Sequence, residues 1–253
     1  MILKPKASFI GKPLLEYESL DSTNIFSQEL VSKSSPTEGT TVLAHYQSSG
    51  KGQYGRVWES KAKENITLSI ILRPKFLAIK QQFFLNVVSS LAVADAIEYY
   101  IKDHVMIKWP NDVYIKNNKI CGILIQNNLQ GQQILNAVVG IGINVNQIDF
   151  HKDIPNPTSI KKEAGENIEL IELRDLLFGT FEKYYEQLRS GGSEDLKKQY
   201  QERLYKKGHI SRFRLDEKEV EGVIRSINDQ GQLEIEINGS LESFSKTEIQ
   251  YLK

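Results

Sequence analysis

Residues 47–58 (Gln-Ser-Ser-Gly-Lys-Gly-Gln-Tyr-Gly-Arg-Val-Trp) constrain this chain more than any other stretch. Their glycines at 50, 52 and 55 and cations at Lys51 and Arg56 fit neither a helical nor a strand period, so the segment is a loop. A strand-like run precedes it at 41–46, and another, rich in β-branched residues and ended by Pro74, follows at 65–73. Glycines let a backbone approach a ligand and turn its N–H groups inward, and cations suit an anionic guest. The spacing also matches G-x-G-x-x-G. A dinucleotide fold, however, needs a helix at the last glycine and an acid roughly 20 residues on. Here a strand follows, and no acidic residue lies between 65 and 80. A Walker A loop fails as well, because no Gly-Lys-Ser/Thr is present at the required spacing. The loop joins two strands, and by itself it reads equally as an anion cradle or as a surface loop.

The rest of the chain supplies a mixed set of elements. Residues 14–20 alternate like a strand, and Ser22 or Thr23 is placed to cap a helix over 25–32. Apolar residues at helical spacing (Phe84, Val87, Val88, Leu91, Ala94, Ile97) predict the longest helix over 81–101. Strands are predicted at 105–109, 113–116 and 120–125, with a tight turn at Asn117-Asn118. A fourth run, 134–145, contains Gly140 and Gly142, which mark a bulge or a close backbone approach to a ligand. Residues 146–167 read as irregular, followed by helices at 170–189 and 194–205. From 208 onward the texture changes to short alternating strands at 210–215, 219–227, 232–237 and 242–244. These divide the chain into a main domain, 1–206, and a small β-barrel domain, 207–253, marginal alone and expected to dock on the main body.

Charge and cysteine content narrow the class. Lys plus Arg and Asp plus Glu both total 32, so the net charge is zero and bulk attraction to nucleic acid is not indicated. One cysteine, Cys121, excludes an internal disulfide framework and suits a reducing compartment. Neither a signal peptide nor an apolar run of membrane-spanning length is found, which predicts a cytoplasmic protein.

Lys108-Trp-Pro-Asn-Asp112 is the second unusual stretch. A strand delivers Lys108 and Trp109, and Pro110 ends the ladder because it has no N–H to donate. Asn111 and Asp112 are favoured turn formers, so a purely structural turn is one reading. The functional reading puts the Lys108 cation at a strand end beside a carboxylate or metal-binding Asp112, with Asn144 supplying an amide from another strand.

Together these pieces resemble the biotin protein ligases. The matching stretches are Asp21-Ser-Thr-Asn24, the 47–58 loop, Lys108-Trp-Pro-Asn-Asp112 with 119–124, and 140–146, in the family's order and spacing. The related lipoate ligases carry a different loop, absent here. The resemblance covers about residue 14 to the end. It implies an α+β fold: a mixed-sheet catalytic domain of the class II aminoacyl-tRNA synthetase/biotin ligase type, helices largely on one face, and a C-terminal SH3-like barrel. It further implies attack of the biotin carboxylate on Mg²⁺-bound ATP, giving biotinyl-5′-AMP, and then transfer to one lysine of a biotin carboxyl carrier domain of a carboxylase. Biotin would be held by Ser22, Thr23, Gln47, Gly50, Lys51, Gly52, Lys108 and Gly122. ATP would be held by Lys51, Gln53, Arg56, Trp58, Lys108, Asn111 and Asn144. Lys108, Lys51 and Arg56 would be catalytic, and Asp112 would contact Mg²⁺. Trp58 reads equally as an adenine platform or a core tryptophan.

The chain departs from that pattern in two places. The family loop usually reads Gly-Arg-Gly-Arg, whereas Lys51 and Gln53 stand here. Lysine keeps the charge without the bidentate fork, and glutamine loses the charge, so the loop is expected to close less firmly unless another cation compensates. Arg73 and Lys119 are the candidates. In addition, only about a dozen residues precede the first strand, too few for the winged helix-turn-helix of bifunctional members, so operator binding is not expected. A lipoate or octanoate transferase and a non-catalytic binding protein are the rival readings. Monomer and homodimer are both open.

Overall fold

Alternation along neighbouring strands separates an apolar sheet face from a small, polar one, and that separation decides where a ligand can lie. The computed structural model describes residues 5–252. In chain order it contains β1 (Leu14–Tyr17), α1 (Thr23–Lys33), β2 (Thr41–Ala44), β3 (Asn65–Leu72), α2 (Phe84–Glu98), β4 (Val105–Lys108) and β5 (Asp112–Ile115). Then come β6 (Asn118–Gln130), β7 (Gln133–Asn144), α3 (Ile160–Ala164), α4 (Leu170–Arg189) and α5 (Ser193–Glu202). The C-terminal strands are β8 (Ile210–Leu215), β9 (Lys218–Ile227), β10 (Leu233–Ile237), β11 (Ser240–Phe244) and β12 (Ile249–Tyr251). Seven strands form a mixed sheet in the order β1-β2-β3-β7-β6-β5-β4, parallel between β1 and β2 and antiparallel elsewhere.

The register pairs Leu68 with Ile141 and Ile141 with Ile123, so Ile66, Leu68, Ile70, Val139, Ile143 and Cys121 share one face. All are buried in the core. This face lies under α2, which is buried on nearly all sides because α4 and α5 cover it from outside. Thr180 of α4 donates to the Ala92 carbonyl at 3.0 Å, and Tyr184 donates to Asp95 at 2.6 Å. The opposite face presents Thr67, Ser69, Gly140, Gly142 and Gly122, the residues between the apolar ones. There α1 packs: Ser69 Oγ donates to Thr23 Oγ1 at 2.9 Å. Helices thus lie largely, but not wholly, on one face.

Several local expectations shift. The β5–β6 turn is Lys116-Asn117, one residue earlier than expected, with Lys116 in the left-handed region. β6 continues to Gln130 because it pairs with β7 as far as Gln133, beyond the span in which its own residues alternate. The stretch 146–167 contains α3, capped by the Ser159 hydroxyl and closed by Gly165 at φ +84°. The C-terminal unit gains β12, which pairs with β8, and its strands run in a row β11-β10-β9-β8-β12.

The two sheets meet at the end of β4. The edge of β4 is covered by the backbone at 203–205: Ile107 donates to the Arg203 carbonyl at 2.7 Å and Tyr205 to the Ile107 carbonyl at 2.9 Å. Buried Trp109 donates its indole N–H to the Gly231 carbonyl at 2.8 Å, and Gln201 reaches the Ile227 carbonyl at 3.0 Å. Contact is so close at Gly231 that a Cβ there would lie 2.0 Å from Phe83.

Near the other end, Glu182 of α4 holds the N-terminal segment. Its carboxylate accepts from the backbone N–H groups of Ser8 (2.7 Å), Phe9 (2.9 Å) and Ile10 (3.0 Å) and from the Ser8 hydroxyl. Burial pushes its pKa up, but these donors outweigh burial and hold it below the ordinary 4.5. A depressed folded pKa stabilises above the unfolded pKa, and that stabilisation is lost as pH falls through the folded value. Glu182→Gln is therefore expected to cost about 1–3 kcal/mol at pH 7. The gap to wild type is expected to shrink below pH 4.5 in urea titrations; a gap independent of pH would refute the charged role.

Candidate active site

The glycine loop is a short hairpin rather than an irregular coil. Leu20 and Gln47 extend the parallel pairing of β1 and β2, and Lys51 then bridges Val57. Trp58 N–H donates to the Gly50 carbonyl at 2.9 Å, and Gly52 N–H to the Arg56 carbonyl at 2.7 Å. The tip, Gln53–Gly55, turns with φ +55° at Tyr54 and +73° at Gly55. A Cβ at Gly50 would lie 2.4 Å from the Trp58 carbonyl oxygen, so the hairpin closes only around glycine there. Lys51 and Arg56 are exposed on this flap, and Tyr54 is 69% exposed at its tip.

Trp58 lies on the small, polar face of the sheet. Paired Gly122 and Gly142 form its seat: a Cβ at 142 would be 2.4 Å from the indole, and one at 122 would be 2.9 Å away. The neighbour of Gly140 is the Asn24 amide, at 2.9 Å from a built Cβ. The strand glycines thus permit close approach of protein side chains, where the sequence suggested a ligand. Trp58 Nε1 is buried against Gly142 without an acceptor among the described residues. Gly142→Ala is expected to displace the indole and cost about 1–3 kcal/mol. Adding Trp58→Ala is expected to recover most of that loss, a coupling measurable in a double-mutant cycle. Additive losses would show that the two do not compete for space.

Beside the seat, Gln47 Oε1 accepts from Thr23 N–H at 2.7 Å, and Thr23 Oγ1 accepts from Ser69, which the sequence reading overlooked. Ser22 is the cap of α1, its hydroxyl accepting from Ile25 N–H at 3.5 Å. A cleft of about 310 Å³, lined by Tyr46, Gln47, Gly50, Trp58 and Gln147 among others, opens here.

The charged part of the site forms around the β4–β5 turn. Lys108 and Asp112 face each other in the antiparallel register. Lys108 Nζ lies between two rings, 5.0 Å from the Tyr114 centroid and 4.9 Å from that of Tyr251, and donates to Tyr114 Oη at 3.5 Å. No carboxylate lies within ion-pair distance of it among the described residues. Burial pulls its pKa down; Asp112 opposes this, while Lys119, Lys206 and Arg56 add to it. Lys119 pairs with Asp112 at 2.6 Å and lies 5.7 Å from the Trp58 ring. Asn111 is buried, donating to the Ile123 carbonyl at 2.6 Å and accepting from Lys246 Nζ at 3.1 Å. Burial lowers the Lys246 pKa to about 8. Among the described residues, five cations (Arg56, Lys108, Lys119, Lys206 and Lys246) act on a region where Asp112 is the carboxylate that opposes them. Such a field favours a polyanion.

The sequence-predicted residues therefore meet in one region, with exceptions. Lys119 is committed to Asp112. Arg73 follows the end of β3 remote from the flap, with its backbone on Glu38, so it is no substitute for a flap arginine. Asn144 donates to the Thr158 carbonyl at 3.0 Å. Among the described residues no three His, Cys, Asp or Glu side chains cluster as a metal cage. Lys246 and Tyr251 were missed because they come from the C-terminal sheet, with no motif to mark them.

Sheet, flap and cation cluster define an anion-binding α+β domain that a small β unit completes. A sequence model of the Biotin/lipoate A/B protein ligase family matches residues 16–144. The bifunctional ligase/repressor BirA of Bacillus subtilis (strain 168) is 30% identical over 97% of this chain and 76% of its own length. The biotin–[acetyl-CoA-carboxylase] ligase of Paracoccus denitrificans is 31% identical over 84% of this chain and 90% of its own. The chain superposes with a TM-score of 0.80 on a biotin protein ligase from Aquifex aeolicus in complex with biotin and ATP, covering 95% of this chain and 100% of that one at 24% identity, a likeness of fold. The chain belongs to the biotin/lipoate A/B protein ligase family. No helix among the described residues is long and apolar enough to cross a membrane.

Proposed function

We propose that this chain is an ATP-dependent biotin protein ligase that forms biotinyl-5′-AMP and transfers biotin to a lysine of a biotin carboxyl carrier domain. The observation that carries this reading is Lys108: half-buried, without a carboxylate partner among the described residues, and surrounded by further cations. A desolvated cation is costly unless an anion arrives to meet it. A carboxylate attacking an α-phosphate is such an anion. In the first step a biotin carboxylate oxygen bonds to the α-phosphorus as the bond to the β-phosphate oxygen breaks, and pyrophosphate leaves. Lys108, Lys51 and Arg56 stabilise charge that grows in the transition state, without transferring a proton. In the second step the carrier amine attacks the acyl carbon, loses a proton, and AMP departs.

The biotin ring is assigned to Thr23, Gln47 and Ser22, with Gly50 and Gly52 at its edges; Gly122, covered by the Trp58 indole, shapes the site through that ring. Adenine is assigned to Trp58 and to the carbonyl oxygen of Asn144. Gln53 and Asn111 line the phosphate path. Asp112 is the residue that would contact Mg²⁺ bound to ATP, which would supply further positive charge to the phosphates; that contact requires the pair with Lys119 to open. We further assign 1–206 to the catalytic domain and 207–253 to the small β domain, the carrier to a biotin-dependent carboxylase, and the protein to the cytoplasm without a nucleic-acid partner.

Pyrophosphate release in the absence of carrier tests the reading. Release with ATP and biotin, but not with ATP and lipoate, is the expected result. Lipoate-dependent release would favour a lipoate enzyme, and binding without release a regulatory protein.

A further inference from the structure

Lys246 is a cation that the proposed mechanism leaves without a task. It sits on the connection between β11 and β12, yet its Nζ donates to Asn111 Oδ1 at 3.1 Å and lies 5.1 Å from the Tyr54 ring centroid. One side chain of the C-terminal sheet thus touches both the turn after β4 and the tip of the flap. Tyr251, on β12, reaches the same place from the same sheet, its half-buried ring 4.9 Å from Lys108 Nζ. Neither partner of Lys246 neutralises it: Asn111 is a neutral amide and Tyr54 a largely exposed ring. Among the described residues, no carboxylate lies within ion-pair distance of its ammonium. The charge is half withdrawn from water without a carboxylate to offset it, the condition under which an arriving anion is favoured. On the flap itself position 53, where the family loop usually carries an arginine, is neutral Gln53.

We propose that Lys246 is a phosphate-binding residue of the adenylation site, supplying from the C-terminal sheet the positive charge that Gln53 leaves off the flap, and holding the flap closed through Tyr54. This inference rests on the adenylating reading above, but it concerns phosphate binding and is tested separately from biotin chemistry.

Protonation offers an independent readout. Burial brings Lys246 to about 8, opposed by Asp112 on β5 and assisted by Lys119 on β6 and Arg56 on the flap. Only the ammonium form attracts phosphate, so affinity in the free protein is expected to fall as pH rises through that value. Arginine keeps its charge and removes this dependence.

The experiment titrates the full chain with Mg·ATP and with inorganic pyrophosphate, by calorimetry at pH 7 and pH 9, for wild type, Lys246→Gln and Lys246→Arg. Thermal melts check that each variant is folded. Lys246→Gln is expected to weaken both ligands by about 10- to 100-fold at pH 7, the range for a lost charge-assisted hydrogen bond. Lys246→Arg is expected to stay within about threefold of wild type and to lose the weakening at pH 9. Tyr54→Leu, at an exposed ring, is expected to speed release of the preformed adenylate. Equal affinity of wild type and Lys246→Gln for ATP and pyrophosphate would overturn the proposal, as would wild-type binding that does not change between pH 7 and 9. If wild type binds ATP yet releases no pyrophosphate with biotin, the biotin reading fails while the titrations still decide the role of Lys246.

Discussion

Lys108→Ala is expected to leave a folded protein whose biotin-dependent pyrophosphate release is slower by about 10²–10³-fold, the effect of removing roughly 3–4 kcal/mol of preorganised charge from a transition state. The structure supports both halves of that expectation. Lys108 ends β4 with its ammonium between the Tyr114 and Tyr251 rings, so truncation removes no ion pair from the fold among the described residues. Burial disfavours the charge, so an anion arriving at Lys108 offsets a desolvation cost already present. Biotin affinity is expected to fall much less, because the ring is assigned to Thr23 and Gln47, which hydrogen-bond each other beside α1. Stopped-time pyrophosphate assays, biotin calorimetry and circular dichroism check the three parts. Near wild-type turnover in a folded Lys108→Ala protein would remove the residue from the mechanism.

Trp109→Ala is expected to have the largest effect on stability, about 3–5 kcal/mol. The side chain is 5% exposed, lies in the main core, and carries the 2.8 Å hydrogen bond to Gly231 that ties the second sheet to the first. Its loss opens a cavity and leaves the Gly231 carbonyl without its donor. Trp109→Phe keeps most of the volume and is expected to cost about 1–3 kcal/mol, the penalty for the orphaned carbonyl. Because β12 and the Lys246 loop dock beside this tie, Trp109→Ala is also expected to weaken ATP binding more than biotin binding. Urea unfolding and paired ligand titrations test both. An unchanged urea midpoint would show that the sheets are held together elsewhere.

Most of the fold was legible because it is written in local patterns. The β-branched runs at 65–73 and 134–145, the Pro74 stop and the turn residues after 207 have meaning at a range of a few residues, and the strands β3, β7 and β8–β11 lie where those patterns place them. Errors arose where a partner decides. β6 extends to Gln130 because β7 is there to pair with it, and β12 exists because β8 offers an edge. The loop at 47–58 carried no period, yet two backbone hydrogen bonds across Gly50 and Gly52 make it a hairpin.

The candidate site divides in the same way. Sequence by itself determined the chemistry available: glycines and cations at 50–56, Lys108 at a strand end before proline, and an amide at 144. Those residue types supply groups that can meet an anion, since charge and backbone freedom are properties of residues; the ligase reading came from their resemblance to a family pattern. Tertiary structure decided what each group touches. It committed Lys119 to Asp112, placed Arg73 beyond the remote end of β3, and seated Trp58 on Gly122 and Gly142. It also brought Lys246 to Asn111, 135 residues away in the chain. Electrostatic and packing energies fall off over a few ångströms of space whatever the separation along the chain, so a compensating cation from another sheet becomes visible only once the chain has folded.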